Sequence, residues 1–113
     1  SSVPMLIVQD AFESPLWNAA TYQLPSATFA ERDGSYVNHA DRLQCFQWAV
    51  RPPAGVTTAG QLYWRLLKSQ GLYNSRTVLD ELTRGIMYFA AAAAGVECGD
   101  HGIDLKVNQL AAT

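Results

Sequence analysis

The opening pattern of this chain sets much of what it can fold into. Pro4-Met5-Leu6-Ile7-Val8-Gln9-Asp10 is a continuous apolar run that ends in polar residues. Continuous rather than alternating apolar character predicts a strand buried on both faces, as in a parallel sheet. Ser14-Pro15 follows, with Ser able to cap a helix and Pro suited to the first helical position. Residues 16–20 then read as a brief helix, and Thr21-Tyr22-Gln23-Leu24 as a second short strand stopped by Pro25. Strand, helix and strand over residues 4–25 make a βαβ unit, whose two strands must run parallel. The predicted fold class is therefore α/β: part of a doubly wound, mostly parallel sheet, followed by two helices.

Residues 25–44 are polar and rich in turn formers. Asp33-Gly34 reads as a turn that uses the φ freedom of Gly34. Residues 35–38 read as a short extended stretch, and the mixed periodicity of Leu43 to Val50 also favours extended chain. Pro52-Pro53 and Gly55 mark a break. Thr58-Ala59-Gly60-Gln61 fits a capping box and opens a helix, with Gly71 placed to end it. A second helix is expected from an N-cap at Ser75. Val78, Leu79, Leu82, Ile86, Phe89, Ala90 and Ala93 draw one apolar face that Gly85 interrupts. The chain thus reads as one fragment, with a βαβ and motif loop over 4–53, a helical part over 57–95 and a mostly irregular tail over 96–113.

Composition removes several function classes. Lys and Arg number 8 against 10 Asp and Glu, for a net charge of −2. That balance does not neutralise a run of phosphates, so nucleic acid is excluded as a partner. The longest apolar stretch, Ile86 to Val96, falls well short of the about 20 residues of a membrane span, so no membrane insertion is expected. Charged residues are only 16% of the chain, against about 25% in ordinary globular proteins. Such a sparse surface is expected of a piece covered by neighbouring segments, and it predicts an exposed apolar patch.

The available chemistry is thin. Cys45 and Cys98 have no metal-ligand spacing and read as two reduced thiols, one or both buried. His39 and His101 stand beside no nucleophile motif, and no phosphate-binding glycine loop is present. No catalytic residue and no metal ligand is assigned. Glu31, Asp33, Asn38 and Arg42 lie on the loop after a strand, where α/β sheets bind ligands. The residues alone fit a self-bonded turn better. Trp48, Tyr63 and Trp64 read as core, or as the interface of a free-standing homodimeric module.

An ordered series of motifs then becomes visible. Residues 6–12 read LIVQDAF, residues 20–25 ATYQLP, and residues 29–38 FAERDGSYVN. Arg42-Leu43-Gln44 and Ala49-Val50-Arg51-Pro52-Pro53 follow. This order resembles a stretch of the molybdopterin oxidoreductase superfamily, which reads V-V-Q-D-x-F, A-D-V-V-L-P, E-K-D-G-T-F-T-N, R-x-Q and A-V-x-P. The nearest likenesses are formate dehydrogenase catalytic subunits and the G subunit of NADH-quinone oxidoreductase. In catalytic members the region helps to hold the guanine dinucleotide arms of the cofactor. The resemblance therefore implies cofactor contacts for Asp10 at a strand end and for Glu31, Gly34 and Asn38 on the following loop. Thr21 departs from the pattern by replacing an Asp, and Ser35 conservatively replaces a Thr.

That departure favours the branch of the NADH-quinone oxidoreductase G subunit. The expected role is a scaffold and interface piece of a large electron-transfer subunit, inactive alone and holding no cofactor of its own. The parent would carry iron–sulfur clusters or molybdopterin guanine dinucleotide. The alternative is part of the molybdopterin guanine dinucleotide-binding region of a formate dehydrogenase-like enzyme. Either reading implies as partners the rest of the parent subunit and other subunits of an oxidoreductase complex. The implied location is cytoplasmic, peripheral to the inner membrane through that complex.

Overall fold

The opening residues fold as their pattern requires. In the computed structural model, which describes residues 2–93 and 96–106, β1 is Ile7–Asp10, α1 is Pro15–Asn18 and β2 is Tyr22–Pro25. The Ser14 side chain accepts the Trp17 N–H at 3.1 Å and Pro15 occupies the first turn, which satisfies one N-terminal donor at the position where Pro loses nothing. β1 and β2 pair in parallel, Ile7 with Tyr22 through Asp10 with Pro25. One expectation fails here. Only Val8 is buried in β1, and Ile7 is exposed, because among the described residues the parallel sheet has two strands rather than the many of a doubly wound sheet.

The chain divides into two compact units, Ser1–Arg32 with Trp48–Tyr73 and Asp33–Gln47 with Asn74–Thr113. The first holds the βαβ unit. Its second segment joins the sheet where Thr57 N donates to Pro25 O at 3.1 Å and Ala27 N donates to Thr57 O at 3.3 Å. α2, Ala59–Leu66, follows from the Thr58 cap, whose hydroxyl accepts the Gln61 N–H at 3.1 Å. The capping box forms by half. Gln61 turns its side-chain oxygen to the Tyr73 N–H instead, at 3.2 Å. α2 also ends before Gly71: Lys68 takes the left-handed conformation at φ 54°. Trp64 fixes that exit, donating from Nε1 to the carbonyls of Gln70 (3.2 Å) and Gly71 (3.1 Å) and meeting Tyr73 edge-on. It therefore serves this unit's own packing.

The second unit carries an antiparallel sheet, so among the described strands parallel pairing is confined to β1 and β2. β3, Gly34–Val37, and β4, Arg42–Phe46, form a hairpin, and β5, Ile103–Asp104, pairs with β4 through Leu43 and Ile103. A four-residue loop reverses the chain at 38–41, and a connection that short leaves only antiparallel pairing open. α3 is Ser75–Gly85, capped by Asn74 rather than Ser75: Asn74 Oδ1 accepts the Thr77 N–H at 3.1 Å. Gly85 ends the helix instead of interrupting it. Ile86 is extended, and Met87–Ala92 wind into a tighter 3-10 turn. Leu43, Leu79, Ala92, Ile103 and Leu105 form the core, with Tyr88, Phe89 and Cys98 packed around it.

The tail, expected to be mostly irregular, supplies two of those core side chains. Its residues 107–113, and residues 94–95 of the expected alanine-rich helix end, lie outside the described residues. Large apolar side chains stay exposed in both units, among them Phe12, Phe29, Leu66, Leu67, Leu72 and Met87. No helix among the described residues is long and apolar enough to cross a membrane.

Candidate functional site

In a parallel sheet the carboxyl ends of the strands leave backbone groups facing one crevice, where ligands bind. Here that end carries Asp10 and Pro25. A cleft of about 160 Å³ opens beside them, lined by Asp10, Glu13, Trp17, Pro25, Ser26 and Val56, among others. Asp10 Oδ1 accepts the N–H groups of Ala11 (2.7 Å) and Phe12 (3.3 Å), so one carboxylate oxygen is engaged by its own turn. Asp10 O accepts the Ser26 N–H at 3.0 Å, which extends the β1–β2 pairing to the cleft edge. Thr21, the departure from the family pattern, accepts the Leu6 N–H at 3.1 Å. A hydroxyl oxygen accepts that N–H as a carboxylate oxygen would, at an exposed position.

The other three residues implied by the resemblance sit differently. Glu31 closes a 3-10 turn, Phe29–Glu31, and its carboxylate accepts the Thr28 N–H at 2.8 Å, a local cap. Gly34 opens β3 in pairing with Phe46, so the predicted Asp33-Gly34 turn is absent. Gly34 is needed for space rather than for φ freedom. A Cβ there would stand 2.7 Å from Phe46 Cζ, and the Phe46 ring is held in a stack with Tyr36 at 5.0 Å. Asn38 builds the hairpin loop. Its Oδ1 accepts the N–H groups of Ala40 (2.9 Å) and Arg42 (3.1 Å), and its carbonyl accepts from Asp41 N (3.0 Å). Asp10 and Glu31 thus belong to the first unit, and Gly34 and Asn38 to the second.

Two constellations have no counterpart in the sequence reading. Asp41, left-handed at φ 58°, accepts the Tyr88 hydroxyl at 2.6 Å through Oδ1 and pairs with Lys106 Nζ at 3.2 Å through Oδ2. The hydrogen bonds from Tyr88 and Lys106 hold its carboxyl below the usual carboxylate range, and the same bond to Asp41 raises the Tyr88 phenol. Asp41 O also accepts the Leu105 N–H at 3.0 Å, so the loop anchors the segment that delivers Leu105 to the core.

The second constellation is the cysteine pair. Both thiols are free, with Cys45 exposed and Cys98 half-buried, so the expected burial is not complete for either. β4 and the segment before β5 bring them together: Cys45 N donates to Cys98 Sγ at 3.1 Å. The Cys45 thiol is pushed up to about 11, first by desolvation, then by its hydrogen bond and charge repulsion with Cys98; Arg76 opposes the rise. The only signal in the sequence is the presence of two cysteines. Among the described residues no group of three or more His, Cys, Asp or Glu could hold a metal ion.

The chain is 31% identical over 106 residues to the alpha subunit of F420-dependent formate dehydrogenase 1 from Methanococcus maripaludis, a match covering 91% of this chain and 16% of that protein. It is 40% identical over 52 residues to the F420-dependent formate dehydrogenase alpha subunit of Methanocaldococcus jannaschii, covering 46% of this chain and 8% of that one. The chain therefore spans about a sixth of the first relative and less of the second. No family model and no solved structure matches it. Both relatives are formate dehydrogenase subunits. They favour the formate dehydrogenase side of the resemblance, and the G subunit of NADH-quinone oxidoreductase finds no support.

Proposed function

We propose that this chain is part of the alpha subunit of a formate dehydrogenase of the molybdopterin oxidoreductase kind, and that its own contribution is structural. The observation that carries the reading is the 31% identity to such a subunit over nearly the whole chain. The parent would oxidise formate, work with partner subunits and carry molybdopterin and iron–sulfur clusters. The F420 dependence in both relatives' names makes F420 the electron acceptor to test.

The side chains present do not make a guanine dinucleotide site by themselves. The cleft beside Asp10, at about 160 Å³, is smaller than the about 300 Å³ at which small-molecule sites begin. The polar atoms of Asp10, Glu31 and Asn38 described above already accept backbone N–H groups. Those bonds hold turns. The electron chemistry would be the cofactor's, with the protein supplying position, and no catalytic step is assigned to this chain.

The test is formate-dependent reduction of F420, or of a viologen dye, by the purified full-length protein that contains this segment. Activity with formate and none with NADH supports the reading. NADH oxidation with no response to formate overturns it.

A further inference from the structure

Independently of the parent's activity, we propose that Cys45 and Cys98 form a thiol–disulfide site, a reversible cross-link that closes when the protein meets a small-molecule disulfide. Three observations carry this. First, Cys98 Sγ lies 3.1 Å from the backbone nitrogen of Cys45. That nitrogen is two bonds from the Cys45 Cβ, so the Cys98 sulfur lies beside the Cys45 side chain, and the two thiols hydrogen-bond to each other. Second, Cys98 Sγ is tied to β4 again by its contact with Leu43 O at 3.6 Å, so its position is held from two sides. Third, both cysteines line one open cavity of about 260 Å³, shared with Gly34, Ser35, Arg76 and Leu79. A small disulfide can therefore approach the sulfurs. The raised Cys45 thiol owes most to desolvation, and the hydrogen bond and charge repulsion from Cys98 add to it.

The exchange balances in two steps. One cysteine loses its proton and its thiolate attacks a sulfur of the small disulfide; an S–S bond breaks, a mixed disulfide forms and one small thiolate leaves and takes up a proton. The second cysteine then loses its proton and attacks the protein sulfur of the mixed disulfide, releasing the second small thiol. The protein has given up two electrons and two protons, and the small disulfide has been reduced to two thiols. The product joins β4 to the segment before β5 across 53 residues, a long loop of the kind whose closure restricts the unfolded chain most.

The experiment treats the 113-residue chain with oxidised glutathione, then applies alkylation, intact mass and a non-reducing digest. The expected product has lost the mass of two hydrogen atoms, yields a Cys45–Cys98 linked peptide, and melts at least ~5 °C higher than the reduced chain. Dithiothreitol reverses all three changes. Cys45→Ser and Cys98→Ser each stop at a single bound glutathione. A wild-type chain that stays reduced, that accumulates two glutathiones, or that forms covalent dimers while both variants remain folded overturns the proposal.

Discussion

Leu43→Ala in the second unit should be the most damaging single truncation in the molecule. Leu43 is 1% exposed and sits on the central strand of the antiparallel sheet, opposite Val37 on one side and Ile103 on the other. Its neighbours in the core are Leu79, Ala92, Ile103 and Leu105. Ile103 and Leu105 come from backbone fixed by hydrogen bonds to β4 and to the Asp41 carbonyl, so the site cannot readily collapse to fill the space. A buried Leu→Ala change of this kind costs about 2–5 kcal/mol, at the upper end where collapse is prevented. A core of so few buried side chains is worth only ~3–5 kcal/mol in a unit of this size, so one truncation removes most of it. Urea unfolding of wild type and variant, with hydrogen exchange read at Tyr36 and Gln44, measures the loss. The control is Leu66→Ala at a position 67% exposed, where the change should stay within about 0.5 kcal/mol. A Leu43→Ala cost below ~1 kcal/mol, or one equal to that of Leu66→Ala, would refute the assignment of the core.

Three further outcomes are expected. Gly34→Ala drives a methyl into the Phe46 ring and should cost about 1–3 kcal/mol by denaturation, with the loss largely relieved when Phe46 is also changed to Leu. Asp41 has a lowered folded value, so its contribution is present above the ordinary carboxylate value of 3.8 and is lost as pH falls through the folded value. Tyr88 is raised, so its contribution is present below 10.0 and is lost as pH rises through its folded value. A stability–pH curve should therefore flatten at its acid limb in Asp41→Asn and at its alkaline limb in Tyr88→Phe. Trp64→Phe keeps an aromatic ring but removes the donor to Gln70 and Gly71, and should cost about 0.5–1.5 kcal/mol, seen as faster exchange in residues 70–73.

Local chemistry explains what the sequence makes legible. Ser14, Pro15 and the two flanking apolar runs act within a short stretch of one another, so the βαβ unit can be read directly. Thr58 as a cap is legible for the same reason, as are the extended stretches at 35–38 and 43–50 in part: the strands are Gly34–Val37 and Arg42–Phe46, and residues 47–50 form none. What escapes depends on distant partners. Gly34 looks like a turn residue because Asp-Gly is a turn signal, whereas the ring of Phe46, paired with it across the hairpin, is what requires it. Gly71 looks like the end of α2, but Trp64 and Lys68 settle that exit earlier. The tail looks irregular because its two core residues, Ile103 and Leu105, carry no periodicity. The meeting of Cys45 with Cys98, and of Asp41 with Tyr88 and Lys106, has no local signature at all.

At the candidate site the local reading of the motif loop also explains the geometry: Glu31 and Asn38 satisfy nearby N–H groups, as polar side chains at turns do. Asp10, of the four residues the resemblance implies, stands at the carboxyl end of the parallel strands beside a cleft. Its identity as a strand-end residue is legible from the run that precedes it. The size of the cleft is not.

Cofactor content decides whether this segment belongs to a molybdopterin-type formate dehydrogenase alpha subunit. The full-length protein containing the segment should be purified, denatured and analysed for bound metal and released nucleotide. Stoichiometric molybdenum or tungsten together with guanine nucleotide is the expected result. A protein loaded with iron–sulfur clusters but free of molybdenum, tungsten and guanine nucleotide would contradict it.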